Sequence, residues 1–325
     1  MSKPEIVAIA PLPDFLAKPL HENFTVHDLH GAADTEARRA LIAKIAATTR
    51  GMVAFGGSQL TPDQLAKFPH LEIVSVMGVG YDGMPLTACA EAKVKVTNTP
   101  DVLNDEVADT AVALTLMTCR QFVGAQKFVE AGDWASGKSQ YPLQHSLWNK
   151  TVGIIGLGRI GKEIADRLRA HKMTIAYFGR NKQDVPHTYY DNLLEMAGDV
   201  DVLIAITPGG AATKHMVNAE VLAALGPTGY FINVARGTVV DEVALVAAIE
   251  SGGIAGAGLD VFDAEPKVPE ALFNRPNVIV LPHVASATHE TRQAMGDLCV
   301  ENLVLHFAGK PVKTLVPELA GKVTP

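Results

Sequence analysis

The sequence predicts an α/β protein with two doubly wound parallel sheets, and three observations carry this prediction. Short apolar runs alternate with helical patterns almost from one end of the chain to the other. Most of these runs are continuous rather than alternating, as in strands that are covered on both faces. A glycine-rich turn joins one such strand directly to a helical pattern in the middle of the chain. Alternation of this kind is typical of parallel sheets with helical crossovers.

The predicted strands form two series. The first series comprises residues 6–10, 52–55, 73–77 and 94–97, and the second comprises residues 152–155, 174–178, 202–206, 229–234, 256–260 and 278–281.

Helix boundaries are marked by capping residues. One helix is predicted to begin after Thr61, with Pro62 in its first position and Gln64 completing a capping box. Another begins at Asp241 and ends at Gly252. Longer helical patterns cover residues 103–130 and 288–307.

The order of these patterns predicts an inserted domain. The helical segment 103–130 and a polar stretch, residues 132–149, separate the two strand series, and a helix follows the last strand. We expect residues 101–288 to form one domain, inserted into another made of residues 1–100 and 289–325. A chain that crosses twice between domains would form a hinged cleft.

Composition limits the possible functions. The 325 residues carry a formal net charge of −7, which provides no basic field for nucleic acid. No stretch approaches the ~18 uncharged apolar residues that cross a bilayer. The three cysteines are far apart in sequence, which favours reduced, buried thiols and a cytoplasmic protein rather than disulfides. We expect no metal site.

The glycine-rich turn has the context of a dinucleotide site. It consists of Gly156, Leu157, Gly158, Arg159, Ile160 and Gly161, with a strand before it and a helix after it. The first glycine allows the tight turn, the second admits a pyrophosphate close to the backbone, and the third lets helix and strand pack closely. The helix N-terminus adds free N–H groups and partial positive charge. A glycine turn without a ligand is the less specific alternative.

The next strand end distinguishes the two nicotinamide cofactors. An NAD site needs a carboxylate there for the ribose 2′-hydroxyl. The sequence has Arg180, Asn181 and Lys182 instead, and no acid before Asp184. A guanidinium can clamp a 2′-phosphate, so we favour NADP over NAD. The alternative is that these are ordinary surface cations.

Three later strands of the second series each end in a polar residue that suits oxidoreduction. Arg236, Glu265 and His283 follow successive strands. Ligands bind beyond the carboxyl ends of strands in open α/β sheets, so the three side chains are expected to converge. Each residue alone has a simpler explanation, since the chain contains 11 histidines.

At the level of whole motifs, the chain resembles the D-isomer-specific 2-hydroxyacid dehydrogenases, especially their glyoxylate/hydroxypyruvate reductase branch. The matching strings are GVGYD from residue 78, VTNTPDVLNDEVAD from 96, TVGIIGLGRIG from 151, INVARGTVVDE from 232, GLDVFDAEP from 258 and LPHVASATHETR from 281. The resemblance implies a Rossmann cofactor domain inserted into a flavodoxin-like substrate domain.

The resemblance also implies roles for individual residues. Arg236, Glu265 and His283 match the family's catalytic trio: Arg236 would hold the oxoacid, and His283, oriented by Glu265, would protonate the forming alkoxide. Backbone N–H groups of Val79 and Gly80 would receive the substrate carboxylate. The remaining matches are to cofactor-contacting positions, namely Thr207, Pro208, Ala235, Asp260, His283 and Ala285.

The motifs identify the substrate and the oligomeric state less precisely than the fold and the catalytic residues. We expect reduction of hydroxypyruvate or glyoxylate with NADPH; a bulkier 2-oxoacid, such as a 2-ketogluconate or an arylpyruvate, is the alternative. A dinucleotide-sensing corepressor is a further alternative, which the lack of a basic region disfavours. Relatives usually dimerise through the segment that matches about residues 103–148. Trp134, Tyr141 and Trp148 would contact a partner subunit or pack locally.

Overall fold

A computed structural model describes residues 3–137 and 139–323, and the packing of Cα atoms divides the chain into two compact units. Unit 1 consists of Met1–Leu103 and Ala287–Pro325, and unit 2 of Asn104–Ser286. The sequence analysis placed these boundaries at residues 100 and 288. Residues 1, 2, 138, 324 and 325, which fall within the predicted domains, lie outside the described residues.

Unit 1 contains a parallel sheet of five strands in the order β2-β1-β3-β4-β5, the order of flavodoxin-like folds. The strands are β1 (Glu5–Ala8), β2 (Thr25–Asp28), β3 (Thr49–Phe55), β4 (Ile73–Met77) and β5 (Lys95–Thr97). The helices are α1 (Asp14–Asn23), α2 (Thr35–Ile45), α3 (Pro62–Leu65), α4 (Leu86–Glu91) and the last helix of the chain, α11 (His289–Phe307).

Unit 2 contains a parallel sheet of seven strands in the order β12-β11-β10-β9-β6-β7-β8. The strands are β6 (Thr151–Ile155), β7 (Thr174–Phe178), β8 (Thr188–Tyr190), β9 (Val202–Ala205), β10 (Tyr230–Asn233), β11 (Gly256–Leu259) and β12 (Val278–Val280). The helices are α5 (Asn104–Arg120), α6 (Phe122–Glu130), α7 (Arg159–Ala170), α8 (Leu193–Asp199), α9 (Ala219–Leu225) and α10 (Glu242–Ser251). The order reverses at β6 and β9, as in a Rossmann fold, so the predicted fold class is confirmed.

Helix caps explain where several elements begin and end. Thr61 and Gln64 form the predicted capping box, although α3 is only one turn long. The Asp241 carboxylate accepts hydrogen bonds from the second and third backbone amides of α10, and Gly252 ends that helix with a φ of 71°. A side-chain N-cap contributes about 1 kcal/mol to helix stability.

Two strands were not predicted from the sequence, and two helices were predicted as one. All ten predicted strands are present within three residues of their expected bounds, but β2 and β8 were not predicted. Both are edge strands with partly exposed side chains, so they lack the continuous apolar pattern of the central strands. The predicted helix over residues 103–130 is divided at Gln121, whose φ of 47° ends α5 and starts α6.

The cores of both units are apolar, and the three cysteines lie within them. Cys89, Cys119 and Cys299 are free and buried, as predicted. Burial raises the pKa of the thiols of Cys89 and Cys299 to about 11. Among the described residues, no helix is long and apolar enough to cross a membrane.

A polar cluster lies at the N-terminal end of the unit 1 strands. His306 of α11 bonds through Nε2 to the Glu72 carboxylate (2.9 Å) and through Nδ1 to the Lys95 ammonium (3.2 Å). Arg50 binds the same carboxylate. Because an ammonium can only donate, Nδ1 must accept, which makes the imidazole neutral. Burial, followed by the charges of Lys95 and Arg50, lowers the pKa of His306 despite the opposing effect of Glu72.

We therefore expect the protein to lose stability as the pH falls below about 6.5, the pKa of an unfolded histidine. The folded pKa of His306 is lowered, so the unfolded state binds more protons in this range, and the loss stops growing below the folded pKa. Thermal unfolding midpoints between pH 8 and 5 would measure the effect, and His306→Gln should flatten the dependence. His70→Gln, which removes an exposed histidine of the same unit, is the control. An unchanged slope in His306→Gln would contradict this account.

Candidate active site

Arg236, Glu265 and His283 follow three neighbouring strands of the unit 2 sheet, β10, β11 and β12. The His283 Nδ1 atom lies 2.8 Å from Glu265 Oε2, and both side chains are partly exposed. The other oxygen of Glu265 accepts a hydrogen bond from the backbone N–H of Phe262 (3.0 Å). The carboxylate is therefore fixed on one side by its own loop and faces the imidazole with the other.

The charge state of Glu265 follows from these contacts. Burial alone would raise its pKa, but hydrogen bonds from His283 and Phe262, together with the positive charges of His283 and Arg236, lower the pKa below the usual value. The carboxylate thus stays ionised at neutral pH and stabilises a positive charge on the imidazole.

The backbone at His283 is held in an unusual conformation by Asp260. His283 has a φ of 55°, which costs a non-glycine residue about 1–3 kcal/mol. Its N–H donates to the Asp260 carbonyl (2.9 Å), and the N–H groups of Val284 and Ala285 donate to the two oxygens of the Asp260 carboxylate (2.8 and 2.9 Å). Asp260 is only 1% exposed. For Asp260 the family resemblance implied only a cofactor contact, and no local pattern indicated that it anchors the histidine loop.

The loop that carries Arg236 packs tightly against the loop that carries Glu265. A Cβ atom on Gly237 would lie 1.8 Å from the carbonyl carbon of Phe262, so only glycine fits there. Asn233, fully buried at the end of β10, bonds to the backbone of Ala235 and Arg236 (3.0 Å each). The Arg236 guanidinium donates to the Ala235 carbonyl (2.8 Å).

The glycine-rich turn has the backbone geometry that a dinucleotide requires. Gly156 has a φ of 101°, and a Cβ atom on Gly161 would lie 2.3 Å from the Gly156 carbonyl oxygen. A Cβ on Gly158 would meet no atom within 4 Å, which leaves open space at the start of α7. Leu157 is buried in the turn, and Arg159 and Ile160 form the first turn of the helix.

The loop after β9 lies beside this turn. A Cβ atom on Gly156 would be 3.0 Å from the Ile206 carbonyl oxygen and 3.2 Å from the Thr207 Cα. Thr207 therefore adjoins the glycine-rich turn, where the sequence predicted a bound cofactor, and Pro208 is the next residue of the chain. These features suit a pyrophosphate on the helix N-terminus, so the residues present fit a bound dinucleotide.

The loop after β7, where the sequence predicted the choice between NADP and NAD, is held by hydrogen bonds on both sides of Arg180 and Asn181, which are exposed. Tyr189 donates to the Gly179 carbonyl (3.2 Å), and the Gln183 backbone N–H donates to the Tyr177 hydroxyl (2.7 Å). The Gln183 side chain donates to the carbonyl of Leu157 in the glycine-rich turn (2.7 Å). Nothing in the local sequence marked Gln183 for this contact.

Val79 and Gly80 lie in unit 1, in the turn after β4, and both are half-buried. The preceding Gly78 approaches the neighbouring loop closely, since a Cβ atom there would be 2.9 Å from the Gly56 Cα. Within the described residues, the amide groups of Val79 and Gly80 donate no hydrogen bond. Consecutive backbone N–H groups in a turn can together bind an anion.

The structure thus assembles the unit 2 residues around neighbouring strand ends and puts Val79 and Gly80 in the other unit. Sequence analysis missed Asn98 and Thr99, which hold the turn that contains Val79 (2.8–2.9 Å). Their string, VTNTP, was recognised as a motif, but no local signal connected it with residue 79.

Comparison with known proteins identifies the family. The family model described as "D-isomer specific 2-hydroxyacid dehydrogenase, NAD binding domain" matches residues 112–285. A hydroxyphenylpyruvate reductase of Plectranthus scutellarioides is 42% identical over 96% of this chain and 98% of its own length. A 2-ketogluconate reductase of Gluconobacter oxydans is 39% identical over 97% of this chain and 99% of its own length.

A solved structure extends the similarity to the fold. The NADPH-dependent glyoxylate/hydroxypyruvate reductase of Sinorhizobium meliloti, in complex with NADP and malonate, is 44% identical, with a TM-score of 0.90 and coverage of 98% of each chain. The resemblance inferred from the motifs is confirmed. This chain belongs to the D-isomer specific 2-hydroxyacid dehydrogenase family.

Proposed function

We propose that this protein reduces a small 2-oxoacid with NADPH, converting hydroxypyruvate to D-glycerate or glyoxylate to glycolate. The observation that carries the proposal is the ionised Glu265 bonded to His283, with the Arg236 cation on the neighbouring strand end. A proton donor and a permanent cation at the same edge of the sheet suit the reduction of a carbonyl beside a carboxylate.

The proposed mechanism divides the reaction among these residues. When bound, the reduced nicotinamide supplies the hydride to the substrate C2. Arg236 holds the oxoacid and polarises its carbonyl, because a guanidinium remains charged and can bind two oxygens. His283 Nε2 donates the proton to the forming alkoxide, while Glu265 stabilises the imidazolium through Nδ1. The proton lost from His283 is replaced from solvent.

We further propose that the amides of Val79 and Gly80 bind the substrate carboxylate. Their N–H groups donate no hydrogen bond within the described residues, which supports this role, since consecutive backbone N–H groups can bind a carboxylate. Thr207, Pro208, Ala235, Asp260 and Ala285 are assigned to the cofactor on their family matches and on their positions in unit 2.

The preference for NADPH rests on Arg180, with Asn181 assisting. Both are exposed on a loop that Gln183 ties to the glycine-rich turn, and no carboxylate is present in that loop before Asp184. The NADP complex of the 44% identical reductase agrees with this assignment for a relative. NAD remains the second candidate.

The substrate side chain admits a second candidate. The relatives named above reduce hydroxyphenylpyruvate and 2-ketogluconate, as their names state, so an arylpyruvate or a sugar acid is the alternative. Hydroxypyruvate or glyoxylate is favoured by the similarity in sequence and fold to the Sinorhizobium meliloti enzyme.

We also propose a cytoplasmic homodimer that uses the segment from about residue 103 to residue 148. Helix α6 has no buried residue, and Trp134, Leu143 and Trp148 of the following segment are 69%, 99% and 61% exposed. Exposed apolar surface of this kind marks an interface. Tyr141, by contrast, packs locally, since its hydroxyl donates to the Gln121 carbonyl (3.1 Å).

The proposal is tested by the loss of absorbance at 340 nm with NADPH or NADH and a panel of 2-oxoacids. We expect fastest turnover with NADPH and hydroxypyruvate or glyoxylate. Preference for phenylpyruvate or 2-ketogluconate would change the substrate and keep the mechanism. Tight NADPH binding with no turnover on any oxoacid would refute the enzymatic proposal and favour a sensor.

We expect His283→Ala to lower kcat by about 10²–10⁴-fold, the contribution of a general acid, without weakening NADPH binding. Glu265→Gln should keep a hydrogen-bond acceptor but remove the charge, so the alkaline limb of the pH–rate profile should move to lower pH. His289→Ala, at an exposed histidine, is the control. Turnover near the wild-type value in His283→Ala would remove this residue from the mechanism.

We expect Arg180→Ala to weaken NADPH binding by about 10- to 100-fold, the range for a charge-assisted hydrogen bond, and to leave NADH binding nearly unchanged. Fluorescence titrations of both cofactors would measure the two dissociation constants. Arg169→Ala, which removes an exposed arginine from the last turn of α7, is the control. An equal loss of NADPH and NADH affinity would show that Arg180 does not contact the 2′-phosphate.

A further inference from the structure

We propose that Thr314, in the C-terminal segment, is a positioning residue for oxoacid affinity, acting through a hydrogen-bond relay that orients the amides of Val79 and Gly80. The relay runs from Asn302 of α11 through Thr314 to Asn98, and from Asn98 to the turn after β4. The inference rests on the proposed function, in which these two amides bind the substrate carboxylate.

The first step of the relay acts on two peptide planes. Thr99 N–H donates to the Gly78 carbonyl (2.8 Å), and the Asn98 side-chain amide donates to the Val79 carbonyl (2.9 Å). Each carbonyl shares a planar trans peptide with the next N–H group, which points the opposite way. Holding the carbonyls of Gly78 and Val79 therefore fixes the directions of the N–H groups of Val79 and Gly80.

The contacts of Asn98 and Thr99 leave the N–H groups of Val79 and Gly80 available to a ligand. Gly78 N–H is taken up by the Thr99 hydroxyl (2.9 Å), whereas the next two amides donate no hydrogen bond within the described residues. Thr99 is fully buried and Asn98 is 8% exposed, so these side chains cannot turn freely toward solvent. Three polar atoms of the turn, Gly78 N, Gly78 O and Val79 O, are therefore hydrogen-bonded to Asn98 and Thr99. Two N–H groups remain to bind a ligand.

The second step fixes Asn98 itself. The Thr314 hydroxyl donates to the Asn98 carbonyl (2.6 Å), and Asn98 N–H donates to the Thr314 carbonyl (3.3 Å). Thr314 thus bonds to both backbone groups of Asn98, with its hydroxyl as donor and its carbonyl as acceptor. Without the hydroxyl, the Asn98 carbonyl would lose its shortest contact, and the side chain that holds Val79 would gain freedom.

The third step anchors Thr314 in the core of unit 1. Asn302 is fully buried, and its side-chain amide donates to the Thr314 hydroxyl (2.8 Å) and to the Leu298 carbonyl (2.9 Å). Its oxygen accepts from the backbone N–H groups of Lys313 and Thr314 (2.9 and 3.2 Å). Every polar atom of this side chain is used, which is typical of a satisfied buried network.

The rest of the C-terminal segment is attached to the same region. Val316 N–H donates to the Val96 carbonyl (3.0 Å), so the segment covers the free edge of β5. Farther on, Glu318 accepts a hydrogen bond from the hydroxyl of Tyr81 (2.9 Å), the residue that follows Gly80. Burial, followed by this hydrogen bond, raises the pKa of Tyr81 to about 12, so the hydroxyl remains a donor.

Thr314→Val removes the hydroxyl with little change of shape and tests the relay. We expect KM for glyoxylate and hydroxypyruvate, and the inhibition constant of the unreactive analogue oxamate, to rise about 3- to 10-fold, the effect of losing one net hydrogen bond. The dissociation constant of NADPH should stay within about twofold of wild type. Thr314→Ser, which keeps the hydroxyl, should restore KM.

Two controls separate positioning from a general loss of stability. Thr49→Val removes another buried threonine hydroxyl of unit 1, one that donates to the Ile45 carbonyl (2.9 Å), and should leave oxoacid KM unchanged. Asn98→Ala should raise KM as well, and its combination with Thr314→Val should raise KM by less than the product of the two effects, because both act in one relay.

The outcomes distinguish the inference from the proposed function. The relay would be overturned if Thr314→Val kept the wild-type KM and oxamate inhibition constant, or if Thr49→Val raised both by the same factor as Thr314→Val. Neither result would affect the proposed reduction of 2-oxoacids. A wild-type protein that reduces no 2-oxoacid would refute the proposed function before any variant is measured, and the relay would fall with it.

Discussion

Parallel strands that are covered on both faces leave few positions for polar side chains, and this constraint governs where chemistry can occur in the molecule. Within unit 2, the buried residues of β6, β9, β10 and β11 are almost all apolar. Polar groups collect instead at the carboxyl ends, where the chain leaves the sheet. Because neighbouring parallel strands end at the same edge, Arg236, Glu265 and His283 come together although the first and the last lie 47 positions apart in sequence.

Close approach of backbone segments then determines the geometry at that edge. Gly237 lets the loop after β10 pack on the loop after β11, and Gly161 lets α7 pack on the glycine-rich turn. A side chain at either position would collide with backbone atoms rather than with a movable side chain. The buried Asp260 performs a complementary role, since its carbonyl and carboxylate hold three consecutive amides, beginning with that of His283, in place.

In unit 1, hydrogen bonds likewise fix backbone groups, here those of the turn after β4. We propose that its turn after β4 presents backbone donors to the substrate, and a flexible turn would present them in many directions. The side-chain amide of Asn98 and the backbone N–H of Thr99, both in the next connection, donate to the carbonyls on the opposite side of the two peptide planes. The C-terminal segment supports Asn98 in turn through Thr314.

Sequence alone determined the two sheets, the central strands, the glycine-rich turn and the strand-end residues, because apolar runs and short motifs are local patterns. Tertiary structure decided the rest. The edge strands β2 and β8 lack the apolar pattern, and the break at Gln121 depends on a left-handed backbone. The hydrogen bonds from Asp260 to Val284, from Gln183 to Leu157 and from Thr314 to Asn98 join residues that are 24, 26 and 216 positions apart in sequence. Such hydrogen bonds exist only once the fold has brought their partners within about 3 Å, the distance that a hydrogen bond requires.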